Sequence, residues 1–112
     1  MGIDRFNPDT VLLKRQATLY NLREQVVGDL IILSQRTVFQ PKKYQSASTN
    51  IEILHEDIAQ ITPYSSFFLI PDGLKITLQS TQEFRLKLYD RKTVIDMYRT
   101  LGKGHLIPPH EK

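Results

Sequence analysis

The chain contains no cysteine, so disulfides and thiolate metal sites are excluded and stability has to come from packing. Long apolar runs are missing too. The first apolar cluster, Val11 to Leu13, is shorter than the core of about 7–15 residues in a secretion signal, and nothing approaches the roughly 18 residues of a membrane span. Phe6 stands where the myristoylation pattern needs Ser or Thr. The expectation is a cytoplasmic protein, at most peripheral to a membrane. Glycine is scarce, and Gly2, Gly28, Gly73, Gly102 and Gly104 form no phosphate-cradling loop. Charge is modest as well: 15 basic against 12 acidic residues leave +3, short of the basic stripe of a dedicated nucleic-acid domain. Nucleic acid is therefore not an expected partner.

What remains is an ordinary globular composition, 40% apolar and 24% charged, in 112 residues. That length allows one domain burying about two thirds of its unfolded surface. Residues 1–15, with Asn7-Pro8-Asp9, read as a lead-in, 16–102 as the folded domain and 103–112, with Pro108-Pro109, as a tail. Inside the domain β-formers dominate. Ala17–Leu22 reads as a strand, and Val26–Leu33 is nearly continuous apolar sequence, suited to a strand covered on both faces. Thr37–Gln40 resumes after a polar break and Pro41 ends it. Residues 41–50 read as an exposed loop, followed by short strands at Ile51–Leu54 and Ile58–Thr62 on either side of a polar turn, His55-Glu56-Asp57. Pro63 is expected to stop the second of these.

Phe67–Ile70 precedes Pro71-Asp72-Gly73, whose proline and glycine suit a turn. Beyond it, Leu74–Leu78 and Glu83–Leu88 alternate apolar and polar residues and form a hairpin. Asp90 is placed to cap a helix, Val94, Ile95, Met97, Tyr98 and Leu101 share one helical face, and Gly102 supplies a stop. A helix over Arg91–Leu101 follows. Strands followed by one amphipathic helix argue for a curled antiparallel sheet with a helical lid. Plugged by Val94, Met97 and Leu101, such a barrel has no internal cavity, so a ligand belongs on loops, edges or outer faces.

The segment Gly28-Asp29-Leu30-Ile31-Ile32-Leu33-Ser34-Gln35-Arg36-Thr37-Val38-Phe39 resembles the strand pair of GRAM and related bacterial PH-like domains. Ile53 to Ile61 is similar to the family's apolar strand leading into an acidic turn, and the order of parts fits from about Ala17 to Leu101. Leu33 stands at the family's usual Thr position, and Arg23-Glu24-Gln25 lacks the basic cluster of phosphoinositide-binding PH domains. The resemblance implies a mainly β, PH-like (GRAM-type) bent antiparallel β-barrel of six or seven strands capped by one C-terminal α-helix.

Two basic patches stand out. If Leu78 faces Phe84, then Thr77 faces Arg85 and Lys75 faces Lys87, a like-charge pair that an anionic ligand or the nearby Glu83 would relieve. Lys42 and Lys43, joined by Arg23, form the other, and in the resembled fold their loops open on the same side; Tyr44 could enter an interface there. Both patches read more readily as solvated surface. Phe67 and Phe68 must point to opposite faces of a strand, which exposes one of them to a partner or to a barrel rim. His55, His105 and His110 have no metal spacing, the serines have no nucleophile elbow, and no base has an orienting partner, so neither an enzyme nor a cofactor or metal is expected. The expected function is a non-catalytic binding or scaffolding module acting through a protein partner or self-association at a sheet edge or aromatic rim. The alternative is a peripheral binder of anionic lipid headgroups or other phosphates through the exposed Lys and Arg.

Overall fold

Alternation of apolar and polar residues gives each strand one side to bury. The computed structural model describes residues 10–20, 24–42, 50–66 and 70–108. Its strands are β1 (Val11–Tyr20), β2 (Gln25–Leu33), β3 (Arg36–Pro41), β4 (Ile51–Leu54), β5 (Ile58–Ser66), β6 (Ile70–Leu78) and β7 (Glu83–Leu88). A 3-10 turn (His55–Asp57) joins β4 to β5, helix α1 (Arg91–Thr100) follows β7, and a second 3-10 turn (Gly104–Leu106) follows the helix. All seven strands form one antiparallel sheet in the order β4-β3-β2-β1-β7-β6-β5. β1 pairs with β2 from Val11 to Tyr20 but with β7 only from Ala17 to Tyr20, so one long strand serves both halves of the bent sheet. No pairing joins β4 to β5 among the described residues, which leaves both as outer strands.

The inner faces of both halves meet at one core, in which Ala17, Leu30, Ile32, Ile61, Ile76 and Leu86 are almost wholly enclosed. Helix α1 closes it with Val94, Ile95 and Tyr98, while Met97 and Leu101 are only half-buried, so the plug is centred one position away from the expected Val94, Met97, Leu101 line. Its C-terminus is a Schellman turn: Lys103 N–H donates to Tyr98 O (2.9 Å), Gly102 N–H donates to Arg99 O (3.0 Å), and Gly102 has φ +82°. At the other end Asp90 holds the N-cap place without closing a capping hydrogen bond. Its carboxylate instead accepts from Arg15 Nε at 2.8 Å on β1, tying helix to sheet. That contact first, then the Thr93 hydroxyl and amide nearby, holds the Asp90 carboxyl below its ordinary pKa.

Several boundaries differ from the sequence reading. β1 starts at Val11, inside the expected lead-in, because β2 is long enough to pair Leu33 with Val11. β2 is fully covered on one face, where Val26, Gly28, Leu30 and Ile32 are buried, whereas on the other Val27, Asp29 and Ile31 are half-buried and Leu33 alone is enclosed. Pro63 does not end β5 but lies within it, opposite Leu74, which an outer strand permits because no ladder on its far side needs the missing N–H. Pro71-Asp72-Gly73 is strand, not turn; pairing with β7 begins only at Gly73, so Pro71 stands where β6 has no β7 partner. The expected tail also folds, with Ile107 7% exposed in the core. At Gly28 a side chain has no room: a Cβ there would lie 2.4 Å from Gln40 O and 2.8 Å from the Phe39 ring.

Candidate functional site

The β6–β7 hairpin decides the fate of the first basic patch. Its loop is Gln79-Ser80-Thr81, closed by Thr81 N–H donating to Leu78 O and Leu78 N–H donating to Gln82 O, both at 2.8 Å, with Thr81 at φ +77°. This is the three-residue hairpin loop whose last residue is left-handed. It sets the register two residues away from the expected one: Lys75 faces Arg85, Thr77 faces Glu83, Ile76 faces Phe84 and Gly73 faces Lys87. The faces are unchanged, because a shift of two preserves alternation. A like-charge pair therefore persists, now Lys75 with Arg85. Glu83 relieves it, with Oε2 3.8 Å from Lys75 Nζ and Oε1 3.7 Å from Arg85 Nη2, while Lys87 Nζ lies 3.9 Å from Asp72 Oδ2. Lys42 likewise lies 3.4 Å from Asp29 Oδ2 on β2. Arg23, Lys43, Tyr44, Phe67 and Phe68 fall outside the described residues.

A different surface is more concave. Among the described residues β5 pairs only with β6, and its other side opens on a groove of about 770 Å³. One wall is Thr62 to Ser65 of β5, the other is the face of α1 carrying Arg91, Lys92, Ile95, Asp96 and Arg99, and Ile107 with Pro108 closes the end. Arg91 Nη1 donates to the carbonyls of Tyr64 (2.9 Å) and Gly73 (3.1 Å), bolting the helix to β5 and β6. Lys92 Nζ (3.1 Å) and Arg99 Nη1 (3.4 Å) both reach Asp96, so one carboxylate is shared between two cations and the rim stays positive. The Tyr64 ring lies against Gly73, where a Cβ would come 2.5 Å from it, and burial foremost pushes the Tyr64 phenol above its ordinary pKa.

The turn expected to be merely polar contains a buried group. His55 is 3% exposed; its Nε2 and the Tyr98 hydroxyl each lie 2.8 Å from Thr37 Oγ1, and the His55 and Tyr98 rings meet edge to face at 5.7 Å. Burial foremost, then the charge of Lys103, holds the His55 pKa below its ordinary value of 6.5, although the Ser34 carbonyl nearby works the other way. Burial pushes the Tyr98 phenol up to about 12, so it is a neutral hydrogen-bonding group at any ordinary pH. Among the described residues no group of three or more His, Asp or Glu is placed to hold a metal ion.

No protein-family model matches the chain, and no curated protein matches it. Solved structures do. The C-terminal domain of an unknown protein from Leishmania infantum superposes with a TM-score of 0.73 at 16% identity, over 88% of this chain and 92% of that one. The Vps36 N-terminal PH domain superposes with a TM-score of 0.58 at 19% identity, over 84% and 77%. The fold is PH-like. It is mainly β, a bent antiparallel sheet of seven strands capped by one C-terminal helix, with the seam between β4 and β5 unpaired. In this PH-like frame the groove is built by residues to which the sequence alone assigns no binding role. Arg91, Ile95 and Arg99, with Lys92 and Asp96 beside them, recur at four-residue spacing, a helical face that was detectable. That β5 would lie across from it was not, because β5 and α1 are far apart in the chain.

Proposed function

We propose that this PH-like chain is a non-catalytic binding module that takes an extended, acidic segment of a partner protein into the groove between β5 and α1. The observation that carries this reading is the outer edge of β5, which opens directly on the groove. An outer strand presents peptide groups that an extended chain can pair with, and α1 supplies side-chain selectivity opposite. Pro63 removes a donor from β5, so affinity rests on the neighbouring peptide groups and on the walls. Apolar contact comes from Pro63, Ile95 and Ile107, and Arg91, Lys92 and Arg99 against Asp96 favour an acidic occupant. A cytoplasmic setting and the GRAM subtype within the PH-like group belong to this proposal; the Gly28–Phe39 hairpin supports the latter, with the Phe39 ring seated over Gly28.

Random-peptide display on the purified chain tests it. Selected peptides are expected to combine acidic with β-branched or aromatic residues, and Lys92→Glu with Arg99→Glu should weaken them at least about tenfold, roughly 1.4 kcal/mol. Selection of nothing, or of peptides indifferent to those changes, overturns the reading. The alternative, binding of anionic headgroups through Lys42, Lys75, Arg85 and Lys87, has weaker support because Lys42 and Lys87 each face a carboxylate of their own, Asp29 and Asp72, which leaves the sharing of Glu83 by Lys75 and Arg85 as its one counterpart to the sharing of Asp96 in the groove. Cosedimentation with phosphatidylserine vesicles at low salt that disappears on Lys75→Glu and Lys87→Glu would favour it.

A further inference from the structure

A second cavity, of about 430 Å³, lies where the β2–β3 turn, the β4–β5 turn and the end of α1 converge. Ser34 and Arg36 come from the first, His55 and Glu56 from the second, and Lys103 from the third. It shares no lining residue with the β5–α1 groove. Arg36 Nη1 is 2.8 Å from Glu52 Oε2 on β4, whereas Lys103 makes no ion pair with a described residue. At the cavity wall His55 is 3% exposed, and its Nδ1 has no hydrogen-bond partner among the described residues. Since Nε2 points to Thr37, ring geometry turns Nδ1 the other way, towards Ser34.

We infer that this cavity binds a small oxyanion of phosphate or carboxylate type, held by Lys103, Arg36 and the Ser34 hydroxyl beside His55, whose Nδ1 has no hydrogen-bond partner among the described residues. Lys103 supplies the charge for an anion: Arg36 is already paired with Glu52, whereas Lys103 lines the cavity with no ion pair to a described residue. A buried nitrogen without a partner costs about 1–3 kcal/mol in lost solvation, and an acceptor entering beside Ser34 can recover it. The anion also cancels the positive field of Lys103, which works against protonation of the ring. Other groups facing His55 do not compete for the proton: Thr37 on β3 does not titrate and Tyr98 on α1 stays neutral. Occupancy is thus coupled to a proton on His55, which then donates through both nitrogens.

The test is an NMR titration of the full chain with inorganic phosphate and, separately, acetate, with ionic strength held constant by chloride. Exposed His105 is the control on the same molecule. The expected result is a saturable shift of the His55 ring signals with its titration midpoint raised by about one unit or more, as an opposite charge at close range produces. His105 should not follow. Lys103→Gln should weaken the response at least about tenfold and Lys92→Gln, in the groove, should not. The anion that saturates at lower concentration names the type. Equal responses of His55 and His105, or a His55 response unchanged by Lys103→Gln, would overturn the inference.

Discussion

Thr37 Oγ1 has a partner on each side, His55 Nε2 and the Tyr98 hydroxyl, inside an otherwise apolar core. Removing the end of this chain and removing its middle should therefore differ. Tyr98→Phe leaves Thr37 bonded to His55 and should cost about 1 kcal/mol, whereas Thr37→Val strands both the imidazole and the phenol and should cost about 2–4 kcal/mol. Urea midpoints of the two variants check the order. The same site sets a pH dependence. The folded ring binds its proton more weakly than the unfolded ring, so the unfolded chain carries more protons near pH 6. This contribution is complete above the unfolded value of 6.5 and is lost as pH falls through the lower folded value. The guanidinium midpoint should fall between pH 7.5 and 5.5, roughly the His range, and His55→Gln should flatten that fall. None of this is visible in His55-Glu56-Asp57 as a string, because burial of His55 is imposed by Tyr98, far along the chain on α1.

Among elements, the β6–β7 hairpin separates what alternation reveals from what a turn decides. Leu74, Ile76 and Leu86 were assignable to the inner face from period two alone. Register was not, since a two-residue slip keeps every face and changes only which residues oppose, and the loop chemistry chose between the options. Thr81 adopts φ +77°, a conformation that costs a β-branched residue about 1–2 kcal/mol. Allowing for the extra freedom glycine has when unfolded, Thr81→Gly should stabilise the chain by roughly 0.5–1 kcal/mol and raise Tm by a few degrees in calorimetry. On β2 the reverse applies: Gly28→Ala drives a Cβ into the Gln40 carbonyl, a backbone atom that cannot swing aside, and should lower Tm. The proline positions follow the same logic. Pro63 and Pro71 sit on β5 and β6 where a ladder is missing, a fact about strand order and not about local sequence.

At the scale of the molecule, the segment after α1 belongs to the fold. Ile107 fills the core beside Ile95, and with Pro108 it ends the groove. A chain ended after Gly102, or Ile107→Ala, should lose about 2 kcal/mol, lowering Tm by roughly 10 °C. Thermal melts of both against the full chain decide it; a melt unchanged by Ile107→Ala would show that the segment contributes nothing. Net charge of +3 is spread over the surface in short ion pairs, so the groove rim owes its sign to the sharing of Asp96 by Lys92 and Arg99 rather than to the overall excess.

By itself the sequence determined the mainly β class, the helix with its Asp90, Gly102 and apolar stripe, and the faces of the best-patterned strands. These are local properties, set by backbone preference and by the periods at which side chains return to one side. The tertiary structure alone decided which strands end the sheet, that β5 borders a groove facing α1, that Glu83, Asp72 and Asp29 balance the lysines and Arg85, and that His55 is enclosed against Thr37 and Tyr98. Each is a contact between residues that are distant along the chain, and its energy depends on burial and register, which no local pattern encodes.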